Sequence, residues 1–192
     1  MLIITGIVIA FSAVIGKNYS EACDIYAKNG VKAKLTSLIN SKAFEYLSSV
    51  YNDDDFTEID KKSDGSVSNI SINTIKLSMT ANELSDKIYD ILKNECPEFG
   101  IPFGNMTGFK SLSGKLFKVP VKIVPVGFVA YEIKSEFISG GINQTLHRVS
   151  LIFTVTVNCL TPFYDCSSVI TVPVTAAETV INGNVPNIIW KK

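Results

Sequence analysis

Residues 149–159 read VSLIFTVTVNC, with Val149, Leu151, Phe153, Val155, Val157 and Cys159 at every odd position and four polar residues among the five between them. Period two sustained over eleven residues is the pattern of a β-strand with one face in a core. The same odd-numbered face appears upstream. Phe117, Val119, Val121 and Ile123 alternate, and after Pro125 and Gly127 come Val129, Tyr131, Ile133 and Phe137. Two antiparallel strands that both bury odd positions must pair with an even register sum. A two-residue turn at Gly140-Gly141 would bury the wrong side, whereas a three-residue loop, Ser139–Gly141, puts Ile138 opposite Ile142 and Ile133 opposite His147. Downstream, Ile170, Val172 and Val174 fall on even positions. Pairing through a turn at 161–164 therefore needs an odd sum, and Cys159 opposite Cys166 satisfies it, with Phe153 meeting Val172. Antiparallel strands are expected over 117–175, followed by a C-terminal segment, 176–192.

Before these strands the period changes. Asn73 is placed to cap a helix over 73–94 that carries Leu77, Ala81, Leu84, Ile88 and Ile91 on one side and stops at Pro97. Asp64-Gly65 marks a hairpin over 56–72, with Thr57 opposite Ile72 and Ile59 opposite Ile70. A first helix is expected over 20–50, capped by Ser20. One apolar stripe opens with Ala22, Ile25 and Tyr26, and a second, in another phase, takes Val31, Leu35, Leu38, Ile39, Tyr46 and Val50. Gly30 stands where the phase changes and costs about 1 kcal/mol relative to Ala in a helix, so a break near residue 30 is expected. The acidic run Asp53–Asp55 reads as a solvated connection, and 97–116, with Gly100, Gly104, Gly108 and Gly114, as a binding loop or a folded-back surface loop. Helices and strands do not alternate. The fold class is α+β, with two amphipathic helices and a mostly antiparallel β-sheet.

The chain opens on MLIITGIVIAFSAVIG, sixteen residues without a charge, ending at Lys17. A bilayer needs roughly 17–25 apolar residues, and Lys17 can snorkel, so residues 1–17 read as a transmembrane anchor and 18–192 as one soluble α+β domain. A cleaved signal peptide would want a basic flank before the apolar run; a buried core helix is the other alternative, against which four of the first five residues are bulky and apolar on every face. The missing flank suggests a start upstream of Met1. Elsewhere, 46% hydrophobic content excludes wholesale disorder, and 18 basic against 18 acidic side chains give no basic excess to hold nucleic acid.

No constellation argues for catalysis, a metal or a cofactor. Gly104-Asn-Met-Thr-Gly108-Phe-Lys110-Ser111 departs from a P-loop, which needs four residues between its glycines and Lys directly after the second. His147, the single histidine, shares a strand face with Val149 and Leu151 and reads as a buried, hydrogen-bonded residue. A zinc site built on His147, Cys159 and Cys166 fails because the histidine stands twelve positions from Cys159 along one strand, roughly 40 Å if extended. Cys159 and Cys166, opposite one another, are candidates for a disulfide if the domain is extracytoplasmic, the alternative being two buried reduced thiols. Cys23 and Cys96 have no inferred proximity.

Several segments of the C-terminal half resemble the YunB family of sporulation proteins: Gly100-Ile-Pro-Phe-Gly-Asn-Met-Thr-Gly108, Val119-Pro-Val-Lys-Ile-Val-Pro-Val-Gly127, Ser135-Glu-Phe137, Gly141-Ile-Asn-Gln-Thr-Leu-His-Arg148 and Ala177-Glu-Thr-Val-Ile-Asn-Gly-Asn-Val-Pro186. The family pattern usually has a basic residue where Leu146 stands and a basic stretch before the anchor, both absent here. The resemblance implies a role in spore formation, with expression in the mother cell. It also implies a single-pass protein of the mother-cell or outer forespore membrane, its soluble domain extracytoplasmic. The expected activity is non-catalytic assembly, with other envelope proteins or itself as partners. Gly104, Asn105, Thr107, Gly108, Asn143, Gln144, His147 and Arg148 form the candidate interaction surface. The alternatives are an envelope-acting hydrolase using His147 with Glu132 or Glu136, and a lipid- or ligand-binding module.

Overall fold

A computed structural model describes residues 2–50, 56–61, 63, 67–94, 98–107, 110–141, 144–162 and 164–182. The side chains of 2–5, 7–20, 22–23, 50, 59, 61, 67–70, 106 and 182 lie outside that description. The order is α1 (Leu2–Val50), β1 (Thr57–Lys61), β2 (Val67–Ile72), α2 (Thr74–Asn94), β3 (Phe99–Pro102), two 3-10 turns (Phe103–Met106 and Lys110–Leu112), β4 (Lys118–Gly141), β5 (Gln144–Leu160) and β6 (Asp165–Asn182). β1 and β2 pair alone, and β3-β4-β5-β6 form a four-stranded sheet in that order. The α+β class with antiparallel pairing is the one expected.

β5 is an interior strand, and its odd positions from Val149 to Cys159 are no more than 1% exposed. On β6 the even positions Ile170, Val172 and Val174 are buried, and Thr161 N–H donates to Tyr164 O (3.1 Å), closing the β5–β6 hairpin in the odd register. The β4–β5 hairpin differs from expectation in one respect. Ser139–Gly141 belongs to β4, and the chain reverses between Gly141 and Gln144. His147 accordingly stacks on Phe137, four positions along β4 from the expected Ile133. Four is even, so the same face of β4 turns toward His147, but beyond Val129 that face is open instead of buried as expected: Tyr131 is 37% and Phe137 63% exposed. Gly141 makes the longer strand feasible: its φ of +125° is open to glycine and strained for other residues. β6 also runs on to Asn182 instead of ending at 175, and its buried positions change from even at Val174 to odd at Ala177.

Within the expected loop 97–116 the structure contains β3, antiparallel to β4, with Ile101 opposite Val119 and Gly100 opposite Pro120. Ile101 and Val119 are both buried. In the β1–β2 hairpin, Thr57 faces Ile72 and Ile59 faces Ile70 as the pattern requires, but the register slips between Asp60 and Lys61. Its Asp64-Gly65 turn, like Asp53–Asp55 and Pro97, lies outside the described residues.

α1 is unbroken. The expected stop near residue 30 fails because Gly30 serves close packing: a Cβ there would stand 2.5 and 2.8 Å from ring atoms of Phe99. One buried stripe, Ala27, Val31, Leu35, Ile39, Ala43 and Tyr46, passes straight through it, and Ile25 and Tyr26 are exposed instead of opening that stripe. Residue 17 is not an element boundary either, since α1 continues through it. Among the described residues no helix is long and apolar enough to cross a membrane. The side chains on which the anchor reading rests lie almost wholly outside them. In α2, the side chain of Asn73 accepts from Lys76 N–H (3.0 Å) as the expected cap, and Leu92, not Ile91, ends the buried stripe.

The chain divides into two compact units. The first comprises residues 1–39, 87–129 and 154–170, the second 40–86, 130–153 and 171–192. In the first, Lys34 Nζ donates to Glu98 O (3.1 Å) beside the Gly30–Phe99 contact. In the second, Tyr46 of α1 donates its hydroxyl to Glu83 of α2.

Replacing a helical glycine by alanine ordinarily stabilises by about 1 kcal/mol. Gly30→Ala is expected to fall short of that gain and to recover it in a Phe99→Ala background. Urea unfolding of the four chains measures this coupling.

Candidate functional site

The glycine-rich loop, in the first unit, spends its polar groups on itself. Phe103 N–H donates to Phe117 O (2.8 Å) and Gly104 N–H to Lys115 O (3.1 Å), while the Phe103 and Phe117 rings stack at 4.8 Å. Asn105 Oδ1 accepts from Gly114 N–H (2.6 Å) and Ser113 Oγ (3.1 Å). The Thr107 hydroxyl donates to Gly104 O (2.9 Å). A Cβ on Gly104 would fall 1.8 Å from the carbonyl oxygen of Leu112, so only glycine fits. Leu116 holds a left-handed φ of +71°, a conformation that costs of order 1 kcal/mol for a non-glycine residue. Gly108 lies outside the described residues.

The β4–β5 hairpin belongs to the second unit, so the two halves of the expected surface sit in different units. Asn143 lies outside the described residues, and Gln144 is exposed. His147 is only 2% exposed. Its Nε2 lies 2.9 Å from Ser135 Oγ, and its ring stacks on Phe137 with centroids 4.5 Å apart and planes at 19°. Burial lowers the imidazole pKa, which keeps the ring neutral at pH 7. Nδ1 is buried without a hydrogen-bond partner among the described residues. The less costly tautomer therefore puts the proton on Nε2, donating to Ser135, and leaves Nδ1 as an unpaired acceptor. Arg148 Nε pairs with Glu178 at 3.2 Å, a partly exposed contact of the kind that contributes about 0–1 kcal/mol. Of the glutamates weighed as acid–base partners, Glu136 pairs with Lys134 (2.8 Å). The hydrogen bond from that lysine holds the carboxyl below the usual range.

Ser135, Phe137 and Glu178 were not singled out as site residues from the sequence. They do lie within segments quoted above for the family resemblance, and the structure brings three of those segments together: Ser135 and Phe137 onto His147, and Glu178 onto Arg148. Two others meet in the first unit, where β3 pairs with β4 at Gly100–Pro120 and Ile101–Val119. Cys159 and Cys166 are both free thiols, the first buried and the second half-buried. Among the described residues no three His, Cys, Asp or Glu side chains cluster as metal ligands.

Gly104→Ala is expected to destabilise the protein by about 2 kcal/mol or more, because backbone must move to admit the methyl group. Thermal unfolding tests this. For His147 the folded pKa lies below the ordinary value of about 6.5, so the unfolded chain takes up the proton first. Stability is then greatest above about pH 7 and falls as the pH drops through 6.5 toward the folded pKa. Urea midpoints at neutral and mildly acid pH should fall further for the parent chain than for His147→Gln.

Comparison with known proteins gives two matches. Residues 98–188 match the family model for the sporulation protein YunB. Sporulation protein YunB of Bacillus subtilis (strain 168) is 25% identical over 163 residues, an alignment covering 79% of this chain and 64% of the relative. The chain thus spans under two thirds of that relative's length. No solved structure matches. Residues 98–188, which hold the folded loop, the His147 hairpin and the strands that carry them, are thus similar to the YunB family of sporulation proteins.

Proposed function

We propose that this chain acts in sporulation as a non-catalytic assembly module of the developing spore envelope. In this reading the apolar stretch Met1–Gly16 tethers it to a mother-cell or outer forespore membrane, with the folded body outside the cytoplasm. Its partners are other envelope proteins or further copies of itself.

The observation that carries the reading is what the resemblance segments do in the fold. Gly100–Pro102 pairs with β4, Gly104 and Asn105 close the loop, Ser135 and Phe137 cover His147, and Glu178 holds Arg148. These segments build and lock a sheet. A histidine 2% exposed, with its ring under Phe137, is poorly placed to meet a substrate, whereas Gln144, beside the reversal, is open to a partner.

A combined Asn143→Ala, Gln144→Ala and Arg148→Ala variant should lower the yield of heat-resistant spores toward that of a strain lacking the gene, while the purified chain keeps its circular dichroism spectrum. Normal spore yield would remove the hairpin tip as the working surface.

One observation favours the hydrolase reading: the Ser135 Oγ to His147 Nε2 distance of 2.9 Å is that of a nucleophile and its base. Such a base needs an orienting group on its other nitrogen, and Nδ1 has no partner among the described residues. Ser135→Ala separates the two readings. The assembly role predicts unchanged spore yield, and the hydrolase predicts its loss in a folded protein.

A further inference from the structure

Cys159 and Cys166 come from the two strands of the β5–β6 hairpin, and the turn between them is tightly defined. Thr161 N–H donates to Tyr164 O (3.1 Å). The Thr161 hydroxyl donates to the same oxygen and accepts from Tyr164 N–H (3.0 Å). With Thr161 thus facing Tyr164, two further steps outward place Cys159 across from Cys166. Directly opposed antiparallel residues have Cα separations of roughly 4.5–5.5 Å, inside the 4.4–6.8 Å that disulfides span. The two side chains are within hydrogen-bonding reach of each other. They are not equally accessible: Cys159 is fully buried and Cys166 half-buried.

We propose that Cys159 and Cys166 are a cross-strand dithiol that closes to a disulfide by exchange with a small-molecule disulfide, entering at Cys166. In the first step Cys166 loses its proton, and its thiolate attacks one sulfur of the oxidant. A Cys166–oxidant mixed disulfide forms, and one thiolate leaves. In the second step the Cys159 thiol gives up its proton and its sulfur attacks Cys166 Sγ. The mixed disulfide breaks, the Cys159–Cys166 bond forms and the second thiolate departs. Two protein thiols are oxidised by two electrons, one disulfide is reduced to two thiols, and the two protons pass to the departing thiolates.

The order of attack follows from the environment. Burial pushes the Cys159 thiol up to about 12. Burial also raises Cys166, and Asp24 and Asp165 add to it, while the hydrogen bond with Cys159 and the Lys28 ammonium, itself paired to Asp24 at 2.8 Å, act in the opposite sense; the thiol stays above its ordinary value. The contact between the two thiols favours the thiolate at the accessible sulfur, Cys166, and disfavours it at buried Cys159. The inference rests on the hairpin alone and holds whichever compartment the protein occupies.

The test is to treat the reduced full-length chain with excess oxidised glutathione at about pH 8, alkylate the remaining thiols and map the peptides by mass. The expected product joins the Cys159 and Cys166 peptides and is lighter by two hydrogens. Cys159→Ser should stop at a glutathione adduct on Cys166, and Cys166→Ser should leave Cys159 unmodified. Recovery of both residues as alkylated thiols in the parent chain would overturn the proposal. So would a mixed disulfide that persists there, or linkage of either residue to Cys23 or Cys96.

Discussion

A β-strand repeats every two residues, and an interior strand with one buried face cannot slip by one without turning that face to solvent. β5 meets this condition from His147 to Cys159, all of whose odd positions are buried. Each aliphatic or aromatic side chain on that face stabilises by about 1.5–3 kcal/mol relative to exposure, so a one-residue slip would forfeit the whole set together. The neighbours must comply. β4 can meet β5 only in an even register and β6 only in an odd one, and both turns are held to loop geometries consistent with that parity. His147 is a consequence of the same constraint. It stands on the buried face at the hairpin end of β5, so its ring has to be accommodated inside. Phe137 supplies a stacking surface and Ser135 a hydrogen-bond partner. What looks from a distance like a serine–histidine pair is well explained as the local cost of burying a polar ring being offset.

The glycine-rich loop obeys a different constraint, the close approach of backbone to backbone. Gly104 leaves no space for a side chain beside the Leu112 carbonyl, and Asn105 uses its amide oxygen to hold the far side of the loop. Residues that a sequence presents as free polar groups are here internal fasteners. This shifts weight from the loop to the β4–β5 hairpin, where Gln144 is exposed, and it accords with segments similar to the YunB family serving the architecture.

Much of this was legible beforehand, for identifiable reasons. The period-two face of β5, the odd register at Cys159–Cys166, the Asn73 cap and the β1–β2 pairings depend on residues near one another in sequence, where pattern and turn chemistry suffice. The misses depend on partners far away. Gly30 looked like a helix breaker because its role is set by Phe99, a residue 69 positions later. β3 was hidden by its length of four residues and its one proline and one glycine; the buried Ile101 opposite Val119 was its one signal. The β4–β5 reversal moved because parity fixes which face is buried but cannot distinguish registers that differ by an even step. His147 was rightly read as buried, but Ser135 and Phe137 could be matched to it only once that register was known.

The buried face of β5 locks its pairing with the neighbouring strands, and the residues flanking the β4–β5 reversal, Gly141 and Gln144, are exposed. Native-state amide hydrogen exchange read residue by residue tests it most directly. The account predicts that amides of residues 149–159 exchange only through global unfolding, while those flanking the reversal, at Gly140, Gly141 and Gln144, exchange through local opening at far lower free energy. Uniform protection across both segments, or fast exchange within 149–159, would contradict it.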